Sequence, residues 1–276
     1  MTLGNFCLDN EIHLNYNYKN KLADCYCNKD AVSASFPFPI RGVALRMTTN
    51  PMSPHETFFR RLVTGKVRSA ELPPTLLLAD INGSLADLCR CCFDGPGEEK
   101  VEWGICIVLR GDRLHMPEAH RTQGCVDSVD PNCDPTNSDP EHREEYVGFA
   151  HTHPWVDGEP YPGFSRFDFR ASLFDGDCLS LVCNGPGLFA LVRTSDCTRP
   201  RQTILSEEFM RWQRIYDELI AMESRCPSKT SAWSCLWEAN RIMCEKTGYA
   251  LYYGDSWREA GALDLLYRPT CGEMEA

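Results

Sequence analysis

The stretch Tyr146–Asp168, YVGFAHTHPWVDGEPYPGFSRFD, carries two histidines, a serine and an aspartate within a short span. It begins with five apolar residues, which predict a buried strand, and side chains two apart on a strand share a face. His151 and His153 should therefore lie side by side, with Phe149 behind them. Because proline cannot donate to a central sheet ladder, the strand should end at Pro154.

A Gly- and Pro-rich loop follows the strand, and a helical segment is predicted to begin after Ser165. Ser165 and Asp168 are three residues apart, so they lie on one face of the first turn. This spacing is typical of an N-cap with a carboxylate that satisfies free amides. Two imidazoles and one carboxylate also form a three-ligand set that leaves one position of a tetrahedral zinc open for water. The two interpretations are compatible, because a capped helix start holds its aspartate rigidly.

The order His-x-His-Pro followed by Ser-x-x-Asp resembles the JAMM (MPN-plus) metalloprotease family, over about residues 84–195. The resemblance implies that His151, His153 and Asp168 bind zinc. It also implies that Ser165 helps to stabilise the oxyanion of the reaction. A His-x-His pair on its own is more often a hydrogen-bonded pair than a metal site, so the prediction depends on the complete order.

The family pattern also has an upstream glutamate, which Glu102 matches best. The family usually has two residues between this glutamate and a following glycine, whereas only Trp103 separates Glu102 from Gly104. Glu98 and Glu99 lie close by and are alternative candidates. A carboxylate at the head of an apolar strand is costly unless it faces a cleft or has a partner. A solvated strand end is the structural alternative to a catalytic base.

The resemblance implies a zinc-dependent hydrolase that cleaves an isopeptide or peptide bond, first of all next to ubiquitin or a ubiquitin-like modifier. Zinc lowers the pKa of its bound water and polarises the scissile carbonyl. Glu102 would take the proton of the water and pass it to the leaving amine, and Ser165 would donate to the oxyanion. The partner is thus a protein or peptide substrate, such as a ubiquitin-like conjugate.

Two other functions are open. One is hydrolysis of peptidoglycan stem peptides, as in a bacterial effector or a phage-type enzyme. The other is a catalytically inactive MPN-like scaffold that binds partners. Scaffold members usually lack one or more metal ligands, and this chain has the full set, which favours an enzyme.

The composition is ordinary for a globular protein of 276 residues, with 43% hydrophobic and 24% charged residues. A net charge of −11 argues against a nucleic-acid partner and against an anionic membrane surface. No apolar run approaches the roughly 18 residues of a spanning helix. The N-terminus lacks a basic start and an apolar core, so we expect no signal peptide and a cytoplasmic location. Delivery as an effector by a route without a signal peptide is the alternative.

Sixteen cysteines are many for such a location, where disulfides would be reduced. We therefore expect mostly buried free thiols, of which Cys106, Cys178 and Cys183 lie in or beside apolar runs. A clip between Cys125 and Cys133 is possible only under oxidising conditions.

The predicted fold is α+β, three-layer α/β/α-like, with an MPN/JAMM-like core, an N-terminal extension and a C-terminal helical pair. The order around the core is helix, strand, strand, helix, strand, strand, and Gly248 should end the last helix. Residues 112–145 hold nine acids against three arginines, and we expect a long loop that either selects substrates or is a solvated excursion far from the substrate. The domain prediction is an extension at 1–72, a metalloprotease core at 73–200 and a helical region at 201–276.

Overall fold

The computed structural model describes most of the chain between Thr57 and Pro269. The described residues are 57–93, 101–125, 128–130, 133, 144–154, 163–184, 187–195, 210, 211, 213–215, 217, 218, 221, 229–254 and 261–269, with the backbone alone at 93 and 229–237. Internal contacts divide the chain into two units, Met1–Asn50 and Pro51–Ala276, and every described residue belongs to the second. Most of the predicted N-terminal extension therefore lies outside the described residues.

Helices and strands are mixed along the described chain, as an α+β fold requires. The helices with described bounds are α1 (Phe58–Val63), α2 (Asn82–Phe93), α3 (Arg166–Asp175) and α4 (Lys229–Thr247). The strands are β1 (Thr75–Leu77), β2 (Trp103–Arg110), β3 (Arg113–His115), β4 (Thr122–Gln123), β5 (Glu144–His153), β6 (Leu179–Asn184), β7 (Gly187–Arg193), β8 (Tyr249–Gly254) and β9 (Ala262–Tyr267). No helix in this part of the chain combines the length and the apolar character needed to cross a membrane.

The strands form one mixed sheet in the order β1-β9-β8-β7-β6-β5-β2-β3, and β4 also pairs with β2. Within the described residues β5 and β6 form the parallel pair, and the other pairings are antiparallel. A parallel pair needs a crossover connection, and α3 provides it. Because the chain leaves β5 at His153 and returns to the start of β6, α3 begins near the carboxyl end of β5.

Alternating residues of the central strands belong to two different hydrophobic clusters. Leu181 of β6 belongs to a cluster with the side chains of α1 and α2, such as Leu62 and Leu88. Val182, the next residue, belongs to a cluster with α3 and α4, such as Phe169 and Met243. Successive side chains on a strand point to opposite faces, so the buried β6 contributes to both clusters.

Several predicted elements are confirmed. β5 runs to His153 and ends before Pro154, and α3 is capped by Ser165. α4 ends at Thr247, and Gly248 follows with a left-handed φ of 81°. The first helix of the predicted core order is α2, which begins at Asn82.

Two expectations need correction. The acidic stretch 112–145 is not a loop throughout, because β3, a single 3₁₀ turn and β4 lie within it. The region beyond residue 200 is not only helical, because β8 and β9 join the same sheet as β5. β8 follows α4 after a single glycine, and its residues Tyr249–Tyr252 are buried against neighbouring strands, so it is held by tertiary packing.

The prediction for the cysteines needs correction at two of the three positions named. Cys106 is paired with Cys133, and Cys183 is paired with Cys89. Neither Cys106 nor Cys183 is therefore the free thiol that its apolar run suggested. Cys178 is free, as expected. Cys125 is free and exposed, so the clip proposed between Cys125 and Cys133 does not form, because the acidic stretch brings Cys133 to β2 instead.

Candidate metal centre

The nitrogen and oxygen atoms of three predicted ligands converge on one point. The Nε2 atoms of His151 and His153 lie 3.0 Å apart. Asp168 Oδ1 lies 3.2 Å from His151 Nε2, and Asp168 Oδ2 lies 3.3 Å from His153 Nε2. One ligand atom from each residue falls within 4.8 Å of the others, so the group could hold a metal ion. Two imidazoles and one carboxylate are a ligand set that catalytic zinc sites use.

Strand β5 positions the two histidines. His151 and His153 point to the same face of the sheet, and their rings pack edge to face with the centroids 4.8 Å apart. The Phe149 ring stacks on the His151 ring, with the ring centroids 5.0 Å apart and an interplanar angle of 5°. Gly104 of β2 pairs with His151, and a Cβ placed on it would lie 2.7 Å from Phe149 Cε2. Gly104 thus leaves room for the ring that supports His151.

Ser165 and Asp168 form the reciprocal cap at the start of α3. The Ser165 N–H donates to Asp168 Oδ2 at 2.6 Å, and the Asp168 N–H donates to Ser165 Oγ at 3.2 Å. These two bonds hold the carboxylate towards the histidines. The Ser165 hydroxyl only accepts in this cap, so its own proton remains available to donate. The capping and catalytic interpretations of Ser165 therefore stay compatible.

The two histidines affect the charge state of the Asp168 carboxylate. Burial by itself raises the pKa of Asp168, but the charges and hydrogen bonds of His151 and His153 lower it. The net effect places the pKa of Asp168 well below its ordinary value. Both histidines are buried as well. A carboxylate beside two buried ring nitrogens is a donor set that suits a divalent metal ion.

Glu102 lies at the head of β2, near this group. Glu102 is buried, with 7% of the residue exposed. Gly104 pairs with His151 in the antiparallel ladder, so extending this register by two residues places the Glu102 backbone opposite His153. The neighbouring Trp103 N–H donates to Thr152 Oγ1 at 2.9 Å, which links the two strands at this point. The location agrees with a base beside the metal centre, and that role stays a prediction. Glu98 and Glu99 lie outside the described residues.

Two residues of the site were not foreseen from the sequence. Phe164 is fully buried. The centroid of its ring lies 6.5 Å from that of His151 and 5.9 Å from that of Phe169. A residue before an N-cap that packs on the fourth helical residue is a hydrophobic staple, so this contact had a local sequence signal. Asn240 of α4 accepts a hydrogen bond from the Phe164 N–H at 2.9 Å. Nothing local indicates that contact, because 76 residues separate its partners.

The chain matches no protein-family model, no curated protein and no solved structure.

Proposed function

We propose that this chain is a zinc-dependent hydrolase of isopeptide or peptide bonds. The observation that carries the proposal is the convergence of the His151 and His153 Nε2 atoms with both oxygens of Asp168, at 3.0–3.3 Å. The donor set fits zinc, since it combines two nitrogens and an anionic oxygen and leaves a coordination position for a reactant.

Zinc held by these residues would supply Lewis-acid activation of a water and of the scissile carbonyl. Glu102 then acts as the general base. Its carboxylate takes a proton from the attacking water and passes it to the nitrogen of the leaving amine. Ser165 would donate a hydrogen bond from its hydroxyl to the oxyanion, while its cap holds Asp168 in place. His151 stays in its orientation because Phe149 stacks on the ring.

The favoured substrate is a protein conjugate linked through ubiquitin or a ubiquitin-like modifier. The support is the order His-x-His-Pro and Ser-x-x-Asp, which resembles the JAMM metalloproteases, together with the geometry of its residues. An MPN-like core with helices on both faces of the sheet is part of the same proposal. The division of neighbouring residues Leu181 and Val182 between two hydrophobic clusters supports it.

A second candidate substrate is a cell-wall stem peptide. The paired cysteines favour it, because disulfides persist in oxidising compartments and are reduced in the cytosol. The bond cleaved is again an amide, so the same residues would serve. The two substrate classes differ in where the protein acts and in what lies beside the scissile bond.

The proposal predicts one zinc per chain, bound through His151, His153 and Asp168. His153→Ala should lose the metal and all hydrolysis, because two ligands cannot hold the ion in place. Glu102→Gln should keep the metal and lose turnover, since only the base is removed. His115→Ala, which removes a histidine from β3, is the matched control and should behave as wild type. Metal analysis of purified protein and a hydrolysis assay measure both effects.

Each outcome points to one part of the proposal. Stoichiometric zinc in His153→Ala would contradict the ligand assignment. Full activity in Glu102→Gln would contradict the base. A wild-type chain without zinc would favour the inactive scaffold. Comparing a ubiquitin-like isopeptide conjugate with a stem peptide, on the same zinc-loaded protein, separates the two substrate classes.

A further inference from the structure

We infer that Asn240 of α4 is a positioning residue for the metal centre, which sets the start of α3 and through it the ligand Asp168. The inference rests on the proposed metal site. It concerns a side chain 72 residues beyond the last ligand in sequence and on a separate helix.

Asn240 is a buried polar side chain that points at the segment leading into α3. It is 2% exposed. Its Oδ1 accepts from the Phe164 N–H at 2.9 Å. This N–H lies immediately before the cap residue Ser165, so Asn240 holds the backbone at the entrance to the helix. A hydrogen bond in a buried setting fixes direction as well as distance, because the donor has no water to replace its acceptor.

The backbone is shaped to receive this side chain. Gly163 has a φ of 78°, in the left-handed region that favours glycine. A Cβ at Gly163 would lie 2.8 Å from Asn240 Oδ1 and 2.9 Å from Asn240 Nδ2. Only a residue without a Cβ therefore lets the chain pass so close to the Asn240 amide. The glycine and the asparagine form one contact.

The contact is connected to the metal ligands by short steps. Asn240 holds the backbone of Phe164, and the Phe164 ring packs edge to face against His151, with the ring centroids 6.5 Å apart. Ser165 follows directly, and its N–H donates to Asp168 Oδ2 at 2.6 Å. A displacement of the Phe164 backbone would therefore move the donor that aims the Asp168 carboxylate. Loss of the Asn240 contact should weaken metal binding.

The other end of α3 is held independently. The Tyr249 hydroxyl donates to the carbonyl oxygens of Ser172 at 3.0 Å and of Asp177 at 3.2 Å. Gly176 ends the helix with a φ of 75° and donates to the Ser172 carbonyl. Attachment of α3 to the core and alignment of its first turn therefore depend on different contacts. This separation allows a positioning role to be distinguished from a general effect on stability.

The test uses the full chain and zinc alone as the probe. Asn240→Leu keeps a similar shape and removes the acceptor, so the zinc dissociation constant should rise about tenfold or more, as for residues that orient metal ligands. A chromophoric chelator in competition with the apo-protein measures this constant. At saturating zinc, kcat should fall more than KM rises, because Asp168 and Ser165 are misaligned and the substrate surface is not changed.

Tyr249→Phe is the matched control, because it removes a buried hydrogen bond at the far end of α3. It should lower the unfolding temperature and leave the zinc dissociation constant at the wild-type value. Gly163→Ala approaches the same contact from the loop side and should weaken zinc binding as Asn240→Leu does. If Asn240→Leu does not fold, the zinc dissociation constant of Gly163→Ala tests the inference in its place.

The outcomes are distinguishable. If wild type takes up no zinc, the proposed function fails. If wild type binds zinc, and Asn240→Leu or Gly163→Ala binds it equally tightly, the positioning role of Asn240 is wrong and the metal site stands. Equal weakening of zinc binding in Tyr249→Phe would also overturn the role, since any loss of α3 packing would then have the same effect.

Discussion

Ser165 combines a structural and a proposed chemical role in one hydroxyl group. Its oxygen accepts from the Asp168 N–H, which caps α3, and its proton is free to donate to a substrate oxygen. Loss of an N-cap costs about 1 kcal/mol of stability, whereas loss of an oxyanion donor lowers kcat by roughly 10²–10³. The two roles therefore differ in size and in the quantity they affect.

Ser165→Ala should lower kcat by roughly 10²–10³ at full zinc occupancy, and lower the unfolding free energy by only about 1 kcal/mol. Ser165→Thr keeps a hydroxyl at the same position and should retain most of the activity. Turnover at saturating substrate, with zinc measured in the same samples, decides between the roles. A kcat of Ser165→Ala near that of wild type would leave Ser165 with its capping role alone.

The convergence of the candidate ligands could be predicted because their geometry is local. His151 and His153 share a face by strand alternation, and Ser165 and Asp168 meet by the spacing of one helical turn. Asn240 could not be predicted, because its contact with the α3 entrance depends on how α4 docks against the core. The sequence around position 240 predicts a helix that packs on the core, but it does not indicate which segment the Asn240 side chain contacts.

At the scale of elements, part of the acidic stretch forms a strap beside the metal centre, made of the described residues 124, 125, 128–130 and 133. Glu102 donates its N–H to the Cys125 carbonyl at 2.7 Å, and its carbonyl accepts from the Gly124 N–H at 2.8 Å. A Cβ on Gly104 would lie 3.1 Å from Val129 Cγ2. Cys133 is tied to Cys106 of β2. The strap therefore follows β2 from Glu102 to Cys106.

Cys133→Ser should loosen this strap without dismantling the metal centre, because the bonds of Glu102 to residues 124 and 125 remain. We expect faster amide hydrogen exchange at residues 124, 125 and 128–130 and a higher KM for a protein conjugate. Hydrolysis of a small peptide should stay near wild type, because the candidate ligands and Glu102 are unchanged. Cys125→Ser removes an exposed free thiol and is the control. Unchanged exchange in Cys133→Ser would show that the disulfide does not hold the strap.

The sequence predicted long elements better than short ones. β5 and α3 have clear end signals and occur where expected, and β6 and β7 follow them in the predicted order of elements. β3 has three residues and β4 has two, so neither carries a pattern that distinguishes it from a loop. Both exist because β2 offers an edge to pair with. Such pairings are set by tertiary structure and not by local preference.

At the scale of the whole molecule, a second buried polar group lies where β5, α3 and β6 meet. Asp177 is 3% exposed and accepts from the Tyr146 hydroxyl at 2.7 Å and from the Ser180 hydroxyl at 2.8 Å. Ser180 in turn bonds Ser172 of α3 at 2.7 Å. This cluster connects three elements that carry or flank the metal centre. Its charge should therefore affect the stability of the whole fold.

Burial raises the pKa of Asp177 from 3.8 to about 7, against the hydrogen bonds from Tyr146 and Ser180, which lower it. A group whose pKa is raised by folding contributes stability below its unfolded pKa and loses that contribution as the pH rises through the folded pKa. Between about pH 4 and pH 7 the fold should therefore lose up to roughly 4 kcal/mol of unfolding free energy through this group.

Asp177→Asn cannot ionise and should show a flatter dependence of the unfolding free energy on pH. Tyr146→Phe removes a hydrogen bond that lowers the pKa, so its loss of stability should extend to higher pH. Urea unfolding from pH 4 to 8 measures all three proteins, and the difference between wild type and Asp177→Asn cancels the other titrating groups. Parallel profiles for these two proteins would mean that Asp177 does not retain its proton in the folded state.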